Sequence, residues 1–198
     1  MKTREKILLC TLKLAGEKGL GKVSLSKIAD MVGIQKATLF SHFESKEDII
    51  ISLYEYLRSK SKQLDEAAFV DYDTFFRDKD AKSILMDVIN SYIAMNSTEE
   101  MSDFYKLIYT ERVFDAAAAE IIIEESKKME LATRNLLYAM QEHGLLQIAN
   151  MQFTVTVFCC TVHELLELRE DYILTGQDFS NKIEKFIIGF VDWCGKKA

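Results

Sequence analysis

Not one of the 198 residues is proline and only eight are glycine, while 48% are apolar. Proline inside a helix costs about 3 kcal/mol, so a chain without it can run long, unbroken helices. No alternating run of β-branched residues argues for strands. The expectation is an all-α fold of one domain or two, large enough to bury a sizeable core.

Glycines and capping residues set where the helices stop. A first helix is expected over 3–18, with Ile7, Cys10, Thr11, Leu14 and Ala15 on one stripe and Gly19 ending it. Ser24 is placed to cap a second helix whose inner face holds Leu25, Ile28, Ala29 and Val32. Gly33 makes a turn, Ile34 points back to the core, and a third helix is expected over 35–43 with Leu39 and Phe43 inward. Ser45-Lys46-Glu47-Asp48 resembles a capping box with Asp in the third place. It opens a fourth helix that runs to about residue 65. Residues 70–80 show no clear period and read as a junction. Five more helices are expected near 81–95, 98–112, 114–143, 150–174 and 179–196, about nine in all.

Charge is distributed unevenly. Residues 1–62 hold 12 basic and 7 acidic side chains, a balance of +5, whereas residues 63–198 hold 13 and 24, a balance of −11. A basic head on an acidic body suggests a local polyanion-binding face. No apolar run approaches the roughly 18 residues of a membrane span. The charged start and the short apolar run Ile7–Cys10 do not resemble a secretory signal. Cys10, Cys159, Cys160 and Cys194 lack metal or CxxC spacing and read as small core residues of a reducing cytosol. A cytoplasmic protein with no metal and no cofactor is expected.

Two short helices about a glycine turn, preceded by one helix and followed by a capped one, are the layout of a helix-turn-helix, whose second helix enters the DNA major groove. Ile28-Ala29, Val32-Gly33-Ile34, Lys36-Ala37-Thr38-Leu39-Phe40, His42-Phe43 and Ser45-Lys46-Glu47 match in one register. On these residues the chain resembles the TetR/AcrR family of transcriptional regulators. The match is specific over residues 7–50; beyond them only length and helical character agree. The resemblance implies a three-helix DNA-binding domain over 1–48 and a helical effector-binding and dimerisation domain over 49–198. The helix at 46–65 would connect them.

It also implies that Ser24, Gln35, Lys36, Thr38, Phe40, His42 and Lys46 lie on or near DNA. Gln35, Lys36 and Thr38 would open the recognition helix, where Gln can pair with adenine and Lys with guanine. Ser24 and Lys46, at helix starts, suit phosphates, and His42 would approach the backbone. The family usually has Tyr where Phe40 stands, so a phosphate-binding hydroxyl is replaced by an apolar ring. Ala15 stands where a large aromatic is usual, so a neighbour must fill that volume.

For the body the resemblance implies a small-molecule effector and a homodimer. The pocket candidates are Tyr92, Met95, Phe104, Tyr105, Tyr109, Met129 and Tyr138, with Met101, Phe114 and Met140 beside them. Residues of these types equally fill cores. Phe153, Val157, Cys160 and Leu165, then Ile183, Phe186, Ile187 and Phe190, form wide apolar faces on the last two helices. Such faces fit a four-helix interface across a two-fold axis. The function implied is that of a sequence-specific regulator, a repressor released from a pseudo-palindromic operator by its effector.

Rival readings have little support. His163-Glu164-Leu165-Leu166-Glu167 lacks the second histidine of a zinc protease motif. Adjacent Cys159 and Cys160 point about 100° apart on a helix and do not suit a mutual disulfide. No P-loop, nucleophile elbow or dinucleotide fingerprint is present, so no enzyme is expected. A helical protein–protein adaptor is the other alternative, separable by the salt dependence of DNA binding.

Overall fold

Leucine, isoleucine and alanine at helical spacing, without a proline to interrupt them, fold into α-helices throughout. In this computed structural model, which describes residues 2–65 and 71–195, no strand occurs among the described residues. The helices are α1 (Thr3–Lys18), α2 (Leu25–Val32), α3 (Lys36–Leu39), α4 (Lys46–Asp65) and α5 (Tyr72–Phe76), then α6 (Ala81–Asn96), α7 (Glu99–Glu111), α8 (Ala116–Glu142), α9 (Met151–Leu174) and α10 (Lys182–Trp193). A short 3₁₀ turn, Leu20–Lys22, follows α1. The all-α expectation holds, with one more helix than anticipated. The extra one is α5, inside the stretch read as a junction, where the Asp71 carboxylate accepts from the Thr74 N–H at 3.3 Å and starts a turn. Val70 of that junction and Lys196 of the last expected helix lie outside the described residues.

The chain divides into two compact units, Met1–Phe69 with Ile93–Glu124, and Val70–Tyr92 with Glu125–Ala198. In the first, α1 packs against α2, α4 and α7. Three neighbours explain why its buried surface is wider than one stripe: Leu8 and Leu12 are buried along with Ile7, Thr11, Leu14 and Ala15. The same core takes in Ile28, Val32, Leu39, Phe43, Ile49 and Leu53, then Phe104, Leu107 and Ile108 of α7 and Ile121 of α8. Each such side chain contributes about 1.5–3 kcal/mol on burial. The small Ala15 is buried in this core, to which α7 contributes the large Phe104.

The α1–α7 crossing is close at Gly16. A Cβ built there would lie 2.4 Å from Asp103 Oδ1 and 2.8 Å from Asp103 Cβ. Only a residue without a side chain lets the helices approach so closely. Asp103 is itself buried, and burial raises its carboxyl above the usual carboxylate range. Around it stand Lys13 and Glu17 of α1 and Glu99 and Lys106 of α7. Lys13 and Glu99 also pair across the same crossing at 2.5 Å.

In the second unit α9 and α10 pack through a phenylalanine cluster. The ring of Phe158 lies 4.9 Å from Phe190 and 5.8 Å from Phe186. Asn150 caps α9 through its side-chain oxygen, which accepts from the Phe153 N–H at 3.1 Å. His143, just past the end of α8, holds α5 in place. Its Nε2 lies 2.9 Å from Asp73 Oδ1, its Nδ1 2.7 Å from the Ala139 carbonyl, and its ring meets the edge of Phe76. Two acceptors favour the imidazolium, and the Asp73 hydrogen bond raises its pKa.

Two substitutions test the crossing. Gly16→Ala is expected to destabilise the fold by about 1–3 kcal/mol, the usual cost of overpacking, measured by denaturant unfolding. Asp103→Asn works the other way. Because the folded state holds the Asp103 proton above the ordinary 3.8, this residue's stabilising contribution is fullest below that pH and is lost as pH rises. The Asn variant is expected to be more stable than the parent at pH 7, on the order of 1 kcal/mol. The gain should shrink as pH falls toward 4 and vanish below it.

Candidate nucleic-acid interface

Ser24 is extended (φ −125°, ψ 154°), and its Oγ accepts from the Lys27 N–H at 3.3 Å, capping α2 as its sequence position indicated. At the other end Gly33 takes the left-handed conformation (φ 81°, ψ 38°). There the Gly33 and Ile34 N–H groups both donate to the Ala29 carbonyl, at 2.9 and 3.0 Å. The chain thereby turns sharply, and α3 packs against α2.

Helix α3 is only four residues long, shorter than the expected 35–43. Beyond Leu39 the backbone tightens into i→i+3 bonds, Ser41 N–H to Thr38 O and His42 N–H to Leu39 O. The Ser41 hydroxyl also donates to Thr38 O at 2.7 Å, a local bond that competes with regular helix. Inward, Leu39 and Phe43 are buried as expected. Outward, Gln35, Lys36, Ala37, Phe40, Ser41 and His42 are exposed, and Thr38 is half-buried. Phe40 is 52% exposed, a large fraction for an aromatic ring without a polar handle.

The capping box ahead of α4 forms with a variation. Ser45 Oγ accepts from the Asp48 N–H at 3.1 Å, while the Asp48 carboxylate reaches back to the Glu44 N–H at 2.9 Å, one residue before the cap. Lys46 is half-buried, and its ammonium donates to the Leu20 carbonyl at 3.2 Å. Its charge is tied to the turn after α1 as well as being available at the surface. Lys27 likewise bonds the Lys22 carbonyl at 2.8 Å, and Lys6 bonds the Val32 carbonyl at 2.8 Å. Arg4 was also absent from the sequence reading of the site. It donates to Ser52 Oγ at 2.8 Å and lies over the Phe43 ring at 4.7 Å. Apart from the local Lys27–Lys22 bond, these ties join residues 26 to 48 positions apart, so no local signal announces them.

The candidate pocket residues fall in both units. Met95, Phe104, Tyr105 and Tyr109 belong to the first, and Tyr92, Met129 and Tyr138 to the second. Phe104 is fully packed in the core beneath α1 and acts as structure there, because the close α1–α7 crossing draws it inward. Tyr105 and Tyr109 are half-buried neighbours with ring centroids 6.1 Å apart. Met95 and Tyr138 are about half exposed, and Phe114 is 86% exposed. The apolar faces of the last helices also divide. Ile187 and Phe190 are buried within their own unit, so they hold α10 on α9 and do not form an outward surface. Phe153 and Cys160 are exposed, and Val157, Leu165, Ile183 and Phe186 are half-buried. Two exposed residues, Ile188 and Trp193, extend this face, with the Trp193 ring 6.1 Å from Phe153. Ile188 was missed because helical spacing alone does not separate the inner edge of a wide stripe from the outer.

No helix among the described residues is long and apolar enough to cross a membrane. No group of three or more His, Cys, Asp or Glu with metal-binding geometry occurs among them.

Comparisons with known proteins bear on both parts of the chain. Residues 7–53 match the model of bacterial regulatory proteins of the tetR family, and residues 83–191 match the C-terminal domain of AefR-like transcriptional repressors. The regulator AcrR of Shigella flexneri is 28% identical over 98 residues, which is 50% of this chain and 43% of that protein. The chain thus matches less than half of that relative's length. Among solved structures, a TetR transcription regulator from Haloarcula marismortui superposes with a TM-score of 0.68 at 11% identity, covering 97% of both chains. A TetR-family regulator from Mesorhizobium loti gives 0.65 at 16% identity, over 96% of this chain and 94% of that one. With a helix-turn-helix model at one end and a regulator's C-terminal model spanning more than half of its length, this chain belongs to the TetR family of bacterial regulatory proteins.

Proposed function

We propose that this protein is a sequence-specific DNA-binding regulator that acts as a homodimeric repressor and leaves its operator when a small molecule binds its body. Members of the family are transcriptional regulators and not enzymes. The observation that carries the reading is the outward set Gln35, Lys36, Thr38 and Phe40, displayed on a short helix fixed by a glycine turn and a capping box. Gln35, Lys36 and Thr38 read base edges, and Phe40 meets apolar groups such as a thymine methyl. Ser24, His42 and Lys46 engage phosphates, which in such interfaces take half or more of the hydrogen bonds.

In this reading residues 1–48 form the DNA-binding domain and residues 49–198 sense and dimerise. One helix-turn-helix reads only a few base pairs, so two copies act on half-sites about 34–36 Å apart or multiples of that. Phe153, Cys160, Ile188 and Trp193 supply exposed surface for the two-fold contact on α9 and α10, with half-buried Val157, Leu165, Ile183 and Phe186 beside them. Tyr105 and Tyr109 in the first unit, and separately Tyr92 and Met129 in the second, are half-buried and remain candidates for effector binding within their own units. An effector that displaces α7 would move α1 with it, since the two cross without a gap at Gly16. A coupling of about 1–3 kcal/mol lowers operator affinity 5- to 150-fold. The body works in the cytoplasm, where the DNA is.

Selection of bound duplexes from a random pool tests this reading. Recovered sequences are expected to contain an inverted repeat with half-sites one helical turn, or a multiple, apart. A lack of enrichment for any sequence would remove the proposal. On the recovered duplex, Lys36→Ala is expected to weaken binding across sequences and to reduce the salt slope by about 1. Thr38→Ala should instead change base preference at one position in each half-site. Fluorescence anisotropy at several salt concentrations separates the two effects.

A further inference from the structure

We propose that Arg4 is a positioning residue for DNA recognition, a strut within the protein that sets the recognition segment and the start of α4 against α1. The inference rests on the DNA-binding reading above and assigns a role to a basic side chain that charge alone would place on phosphate. The first turn of α1 carries Arg4, and its guanidinium does two things at once. One Nη donates to Ser52 Oγ at 2.8 Å, and the guanidinium carbon lies over the ring of Phe43, 4.7 Å from its centroid. Phe43 is the residue that closes the recognition segment, and it is buried from its other side by the core.

The contact continues beyond Ser52. Ser52 is a buried polar residue, so its hydroxyl needs partners inside the protein. Arg4 supplies a donor to it, and Asp48 Oδ1 lies 3.5 Å away on the preceding turn of α4. Asp48 is the acid of the capping box: its carboxylate accepts from the Glu44 N–H, and its own N–H donates to Ser45 Oγ ahead of α4. A path of polar contacts thus runs from α1 through Ser52 and Asp48 to the loop joining the recognition segment to α4. A planar guanidinium suits both tasks, since it can stack on a ring while donating in its own plane. A lysine ammonium at the same place could reach the hydroxyl but would lose the stacking geometry.

Positioning and phosphate contact make different predictions for the same substitution. Neutralising a phosphate contact lowers the slope of log affinity against log salt by about 0.9. Removing a strut lowers affinity at every salt concentration and leaves the slope alone. The test compares wild type, Arg4→Gln, Arg4→Lys and Ser52→Ala on the duplex recovered by selection, with circular dichroism to check that each variant folds. Arg4→Gln is expected to lose about tenfold in affinity with an unchanged slope, and Arg4→Lys to recover part of the loss. Ser52→Ala should lower affinity in the same direction, and the double variant should be less than the sum of the two. A slope reduced by about one unit in Arg4→Gln, or an unchanged affinity, overturns the proposal.

A second readout needs no DNA. Amide hydrogen exchange at Glu44 and Asp48 is expected to quicken in Arg4→Gln, because the strut that holds the capping box is gone. Unchanged exchange there overturns the positioning role even if the protein binds DNA. If wild type binds no duplex while exchange does quicken, the strut stands and the DNA-binding reading fails.

Discussion

The crossing of α1 and α7 at Gly16 and Asp103 is the constraint on which the first unit depends. α1 is the common support of the small helices, packing against α2, α4 and α7. Gly16 removes the side chain that would keep α7 away, and Ala15 beside it is buried in the same core as Phe104. The core of the reading head therefore does not end with the head. Leu107 and Ile108, far along the chain, bury in the same cluster as Ile28 and Leu39. A displacement of α7 is felt by α1 through packed atoms, because close-packed interiors transmit shifts and do not absorb them.

A buried carboxyl at that crossing has a cost. Asp103 loses water without gaining a strong partner, and its ionised form is disfavoured accordingly. Tight approach and an ionisable side chain thus meet at one place in the crossing. The ends of the recognition segment are treated differently. There the polar groups are matched: Ser45 with Asp48, Asp48 with Glu44, and Arg4 with Ser52.

Much of this was legible in residue order because it is local. The glycine turn, the Ser24 cap and the inward Leu39 and Phe43 depend on neighbours within a few positions, and all stand where the spacing put them. Contacts between distant parts of the chain were not legible. The net charge of +5 over residues 1–62 counted Lys6 and Lys46 as surface charge, yet each donates to a backbone carbonyl 26 positions away. Their charges still shape the field, but their geometry serves the fold. In the body, helical spacing located the apolar stripe of α10 without dividing it, so Ile187 and Phe190 looked like surface and are interior. Phe104 was read as a pocket residue for the same reason. A stripe states which face is apolar, and only packing decides what covers it.

The central claim is that an acidic protein carries a reading head built to hold duplex DNA. The most direct measurement is the affinity of the full chain for duplex DNA across 50 to 200 mM salt. Binding through several phosphates predicts a linear fall of log affinity with log salt and a loss of roughly a thousandfold or more for six contacts. Affinity that stays level across that range, or no binding to any duplex, would contradict the account.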